Sequence, residues 1–240
     1  MNDDADSAPR GVGVVVVAAG SGARLAATAP KAFVPLAGRP ILGHALDTVV
    51  RLQGLRSLVV VVPAELADAT APEWEGISLP TGAHVVIGGP ERAESVAAGL
   101  ALVGAECDVV LVHDAARCLT PLEVFDRVVE AVRAGTSGAA GAVPGLPVVD
   151  TVKTVDAQGV ITGTPERAAL RAVQTPQGFR RNVLVEAYRS GQVATDDAAL
   201  VERMGHKVLV VEGDQLAFKV TTPADLDHAE RLLASSGGAS

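Results

Sequence analysis

Aromatic residues make up only 2% of this 240-residue chain, so it carries no stacking platform of the kind that holds single-stranded nucleic acid. Cysteine is nearly absent too. Cys107 and Cys118 do not form a C-x-x-C pair, and both are expected to stay reduced, with neither a disulfide nor a metal role. There is no run of basic residues and the net charge is −8, which argues against a polynucleotide partner, since duplex binding uses a basic stripe. No apolar run approaches the roughly 20 residues that span a bilayer, although 48% of the chain is hydrophobic. Residues 1–10 hold three aspartates and no apolar segment, unlike a signal peptide. They are expected to form a disordered tail, as are residues 235–240, and the expected address is cytoplasmic.

Apolar, β-branched runs recur at 12–17, 57–62, 83–87 and 108–112, with helical patterns between them. This alternation predicts an α/β fold, a Rossmann-like, mostly parallel twisted sheet with helices on both faces. The length suits one main domain, expected over 11–234. Pro40 and Pro90 mark helices over 41–53 and 91–103, and Thr120-Pro121 a third. The pattern changes between 143 and 178, where prolines and glycines punctuate short extended pieces at 148–155 and 171–175. This β-arm has too little core to stand alone, so it is expected to lie against the main domain or a second subunit. A helix follows at 180–190, and Thr195 is expected to cap another begun by Asp196-Asp197. Strands are expected near 207–211 and 216–220, and a last helix from Thr222-Pro223.

The most informative stretch follows the first apolar run, where Ala18-Ala19-Gly20-Ser21-Gly22-Ala23-Arg24 leads to Pro30-Lys31. Glycines let the backbone turn sharply and aim several N–H donors at one point. Arg24 and Lys31 add positive charge suited to a triphosphate. The dinucleotide pattern G-x-G-x-x-G fails at Leu25, and no acidic residue follows the second strand, which disfavours an NAD-dependent reductase. No G-x-x-x-x-G-K-[ST] exists, and Ser21 is not in a G-x-S-x-G elbow.

Two further junctions repeat this logic. The third run ends in Gly88-Gly89-Pro90-Glu91-Arg92-Ala93-Glu94-Ser95, which offers backbone groups and the Ser95 hydroxyl to a base edge. The fourth ends in Val112-His113-Asp114-Ala115-Ala116-Arg117, at the edge where open α/β sheets bind ligands. Asp114 suits a ribose hydroxyl or a metal-bound phosphate, while His113 reads as a structural hydrogen-bonding residue. Asp150-Thr151-Val152-Lys153, Arg167, Gln174-Thr175-Pro176-Gln177, Thr195-Asp196 and Phe218-Lys219-Val220-Thr221 add polar groups in the later half.

Taken in order over residues 12 to about 232, these motifs resemble the 2-C-methyl-D-erythritol 4-phosphate cytidylyltransferase family of non-mevalonate isoprenoid synthesis. The resemblance implies transfer of a cytidylyl group from CTP to the polyol phosphate, with Mg²⁺ bound mainly through the nucleotide phosphates. It implies that Arg24 and Lys31 stabilise transition-state charge at the α-phosphate, and that Arg167 and Lys219 position the attacking phosphate. Ala18, Ala19, Gly20, Gly89 and Ser95 would frame the cytosine, with Gly22 in the same loop. Asp114 and Ala115 would lie near the ribose, and Thr151, Thr175 and Thr195 by the acceptor, with Arg117 also in the substrate site. The arm would interlock two subunits of a homodimer. The chain departs from the family pattern at Pro90, which removes a backbone N–H. It departs again at Cys118, where a proline often follows the arginine. A ribitol 5-phosphate cytidylyltransferase is the nearest alternative, and a non-catalytic nucleotide sensor would have no need of all four cations.

Overall fold

The computed structural model describes residues 11–20, 29–70, 72–192 and 194–237. The expected N-terminal tail, 1–10, lies outside them. Valine dominates the central strands because each is covered on both faces, and β-branched side chains pack well on a pleated surface. Along β1 (Gly11–Val17), Val14 and Val16 enter one core cluster and Val15 the other. The same alternation splits β4 (Leu55–Val62) and β6 (Cys107–Asp114), as the two-residue period of a strand requires.

One eight-stranded sheet results, in the order β10-β7-β11-β6-β1-β4-β5, with β12 on the far side of β7. Here β5 is His84–Ile87, β7 Ala139–Pro147, β10 Arg171–Val173, β11 Gln177–Arg180 and β12 Lys207–Glu212. Strands β5, β4, β1 and β6 are parallel, whereas β11 runs antiparallel to β6 and β7. The two-residue strands β2 (Pro35–Leu36) and β3 (Arg39–Pro40) make a separate ribbon. Helices α1 (Ile41–Val49) and α3 (Leu122–Ala134) cover one face of the sheet through Leu42, Leu46, Phe125 and Val128. Helices α2 (Arg92–Leu100), α4 (Arg181–Arg189) and α5 (Asp197–Arg203) cover the other through Val96, Leu184 and Val201. Gly135 ends α3 in the left-handed region at φ 56°, where a Cβ would be strained.

Several expectations are corrected. Residues 143–147 and 171–178 belong to or adjoin the main sheet, because β10 and β11 both pair with β7. Only 148–170 projects, and within it just the hairpin β8 (Thr154–Val155) with β9 (Ile161–Gly163) is strand. The expected strand at 216–220 is a turn, since the Asp214 carboxylate captures the Leu216 N–H at 2.8 Å and bends the chain over Gln215–Ala217. Asp196, not Thr195, caps α5, accepting from the Ala199 N–H at 3.0 Å. Helix α6 (Pro223–Gly237) extends through 235–237, placed in the expected tail, and 238–240 lie outside the described residues. Helices α1 and α2 also end sooner than expected. Arg92 rather than Glu91 opens α2, because Glu91 and Glu94 form a capping box. Cys107 and Cys118 are free and buried.

Candidate active site

The carboxyl ends of β1 and β6 and the turn after β5 open into a cavity of about 440 Å³. Beyond β1 the chain stays against the sheet, the Ala18 N–H donating to the Val61 carbonyl at 2.7 Å, and Ala18, Ala19 and Gly20 form one wall. Lys31 enters from a single helical turn, Lys31–Phe33, whose Ala32 and Phe33 are buried. Gly89 and Ser95 form the opposing wall, Asp114 and Ala115 the floor, and Lys219 the remaining side. Gly88 has no room for a side chain, as a Cβ there would stand 2.5 Å from the Ala19 Cβ. The two walls approach this closely only because residue 88 is glycine.

The Ser95 hydroxyl donates to the Gly89 carbonyl at 3.2 Å. It braces the turn while still lining the cavity, where the sequence expects it to meet a base edge. Thr175 is buried beneath the floor, and its Oγ accepts from the Asp114 N–H at 3.0 Å. Arg117 is pinned by the carbonyls of Ala217 at 2.7 Å and Val173 at 3.4 Å and does not line the cavity. Thr151, Thr195 and Arg167 do not line it either. All three are exposed, and Arg167 donates to the Val149 carbonyl on its own arm at 2.8 Å. Gly22 and Arg24 lie outside the described residues. A wider concavity of about 790 Å³ opens at the amino edge, beside Cys107 and Arg181, but it receives none of the loops that follow the parallel strands.

Charge is concentrated on the floor. Asp114 accepts from Lys219 Nζ at 2.7 Å and faces the Arg92 guanidinium at 3.4 Å. Burial would raise its carboxyl, but Arg92 and Lys219, with Arg117 beyond, hold it down at about 2. Arg92 also donates to Asp197 at 2.9 Å, and Asp197 is fully buried. Tyr188 donates its hydroxyl to the second oxygen of Asp197. Arg92 and Asp197 were not singled out as site residues from the sequence. The signal in R-A-E-S was present, but its partner lies 105 positions away.

His113 is buried against Phe125, with Nδ1 3.2 Å from the Thr175 hydroxyl. Burial, only partly opposed by Asp114, pushes its imidazole down to about 4. Between pH 6.5 and 4 the folded state therefore binds fewer protons here than the unfolded chain, so stability falls as pH drops through that window. The expected loss is about 3 kcal/mol from His113 alone. Urea midpoints measured at pH 7 and 4.5 check this, and His113→Asn should flatten the difference. An unchanged slope in that variant would show that other groups are responsible.

A family model described as 2-C-methyl-D-erythritol 4-phosphate cytidylyltransferase matches residues 12–235. A protein of that name from Nocardia farcinica is 50% identical over 237 residues, covering 97% of each chain. Another from Rhodococcus jostii is 49% identical over 220 residues, 91% of this chain and 93% of its own. Among solved structures, 4-diphosphocytidyl-2C-methyl-D-erythritol synthase from Anaerococcus prevotii superposes with a TM-score of 0.80 at 26% identity, over 94% of this chain and 97% of that one. The 2-C-methyl-D-erythritol 4-phosphate cytidylyltransferase from Thermus thermophilus gives 0.73 at 35% identity, over 93% and 99%. These matches lend no support to the ribitol 5-phosphate alternative.

Proposed function

The chain belongs to the 2-C-methyl-D-erythritol 4-phosphate cytidylyltransferase family, and from that membership we propose how its own residues serve the reaction. The enzyme transfers a cytidylyl group from CTP to 2-C-methyl-D-erythritol 4-phosphate in isoprenoid synthesis. A phosphate oxygen of the acceptor attacks the α-phosphorus, the bond to the bridging oxygen of the β-phosphate breaks, and pyrophosphate leaves with the electron pair. Both reactants are anions, so the protein must neutralise charge as it aligns them.

CTP occupies the carboxyl-edge cavity in this reading. The cytosine lies between the Ala18–Gly20 wall and Gly89, and the ribose near Asp114 and Ala115. Lys31 faces the α-phosphate and Arg24 is assigned a share in stabilising its charge, while Lys219 and Arg167 hold the acceptor phosphate. Thr151, Thr175 and Thr195 belong to the acceptor side. The observation that carries the reading is the convergence of Lys31 and Lys219, 188 positions apart (219 − 31), on one cavity with Asp114 beneath them. Pro90 has no N–H, which leaves the Gly89 backbone as the donor of that turn nearest the base.

Among the described residues no three His, Cys, Asp or Glu side chains converge as a metal cage. Asp114, a carboxylate lining the cavity, is the group that would meet a Mg²⁺ ion arriving on the triphosphate, the usual mode for an ion reluctant to shed water. When bound, it neutralises the charge of the departing pyrophosphate.

The projecting segment 148–170 carries Thr151 and Arg167 away from its own cavity and exposes Val149, Val155, Val160 and Ile161. Those apolar side chains support a homodimer in which each arm lies on the partner and completes its acceptor site. The working compartment is the cytoplasm, because the charged substrates do not cross bilayers. No helix among the described residues is long and apolar enough to span one.

Base selectivity follows from walls built of backbone and small residues. Pyrophosphate release is expected to favour CTP over ATP and GTP by at least about 10²-fold in kcat/KM, as hydrogen-bond readout of a base edge allows. Comparable rates with a purine nucleotide would sink this placement of the base. Running each nucleotide against both polyol phosphates tests the acceptor in the same experiment.

A further inference from the structure

Lys219 is tied to Asp114 at 2.7 Å, yet its side chain is 40% exposed and lines the cavity where the reading above has it grip a phosphate. A bound phosphate would compete with Asp114 for that ammonium. Its loss leaves Asp114, only 11% exposed, short of a partner, and removing one member of a buried ion pair is strongly unfavourable. Arg92 stands at 3.4 Å from the other Asp114 oxygen through both Nε and Nη2, close enough to shorten onto it. What holds Arg92 back is Asp197, at 2.9 Å and fully buried. Asp197 is itself shared, since Tyr188 donates to its other oxygen.

We propose that Arg92 is a positioning residue that takes over Asp114 when phosphate draws Lys219 away, and that the Tyr188 hydroxyl, by satisfying Asp197, sets how far Arg92 moves. The inference rests on the roles assigned above to Asp114 and Lys219. The chain Lys219, Asp114, Arg92, Asp197, Tyr188 alternates cation and anion and ends on a neutral donor. Its interior members, Asp114, Arg92 and Asp197, thus each keep a second partner when one is withdrawn. Burial opposes the charge of Arg92, but Asp197 and Asp114 together hold its pKa above the ordinary value, so it stays a cation throughout.

Tyr188→Phe removes one hydroxyl and no packing. Without it Asp197 leans wholly on Arg92, Arg92 stays away from Asp114, and Lys219 is released less readily. The expected result is a 3- to 10-fold fall, roughly, in kcat/KM for the polyol phosphate with KM for CTP within about 2-fold. Arg92→Lys, which lacks the planar fork and the separate Nε donor that Arg92 presents to Asp114 and Asp197, should lose about 10- to 100-fold in the same parameter. The decisive measurement repeats Tyr188→Phe in a Lys219→Ala background. If the effect travels through Lys219, it should shrink there to under about 2-fold, the signature of residues acting as a unit. An equal loss in both backgrounds would make Tyr188 and Arg92 merely structural and overturn the proposal, as would an undiminished Tyr188→Phe enzyme. A fully active Lys219→Ala single variant would remove the role given to Lys219 itself, and the inference with it.

Discussion

Alanine in place of Lys31 is expected to lower kcat by about 10²- to 10³-fold, the usual loss when one preorganised donor to developing charge is removed. Lys31 sits on a turn anchored by buried Ala32 and Phe33, so the ammonium is delivered to the cavity by a fixed backbone and little reorganisation is needed when charge rises at the α-phosphorus. The substitution deletes a side chain that is only partly buried, and the fold should survive it. Steady-state kinetics with CTP varied at saturating polyol phosphate separates the alternatives. A loss that lay wholly in KM would show that Lys31 binds ground-state CTP and does nothing more for the transition state.

Mixing an Arg167→Ala protein with a Lys31→Ala protein should restore activity from near nothing to about a quarter of wild type, by the symmetry of a two-site dimer. Half of a randomised mixture is heterodimer, and each heterodimer gathers both defects into one site and leaves the other whole. The expectation depends on Arg167 acting on the partner. Its guanidinium is held by the Val149 carbonyl on the arm, and the apolar residues beside it cannot bury themselves within one chain. Subunit exchange is verified by tagging one parent and co-purifying the other. Full exchange with no recovery would return Arg167 to its own chain or to another task, and the shared acceptor site would fall.

Legibility in the sequence tracked distance along the chain. The valine runs at 12–17 and 108–112 named β1 and β6 within a residue or two, because strand period and burial on both faces are local properties of composition. The 216–220 segment misled for the same reason. Its apolar residues read as a strand, but one carboxylate, Asp214, takes the Leu216 N–H and the ladder never forms. Punctuation by proline and glycine sets the arm's bounds too wide, because it does not reveal that 143–147, 171–173 and 177–178 pair within the main sheet.

By itself the sequence determined the α/β class, the position of the ligand edge and the family, because hydrophobic period and short motifs are written in neighbouring residues. Through the family resemblance it also pointed to Ala18, Lys31, Gly89, Asp114 and Lys219, which the structure brings to one cavity. Only the tertiary structure decided that Ser95 braces a turn, that Thr175 supports the Asp114 backbone, and that Arg92 is divided between Asp114 and Asp197. Those partnerships depend on which strand ends and helix starts converge, and on the cost of leaving buried charge unpaired. Neither is encoded in the spacing of residues along the chain.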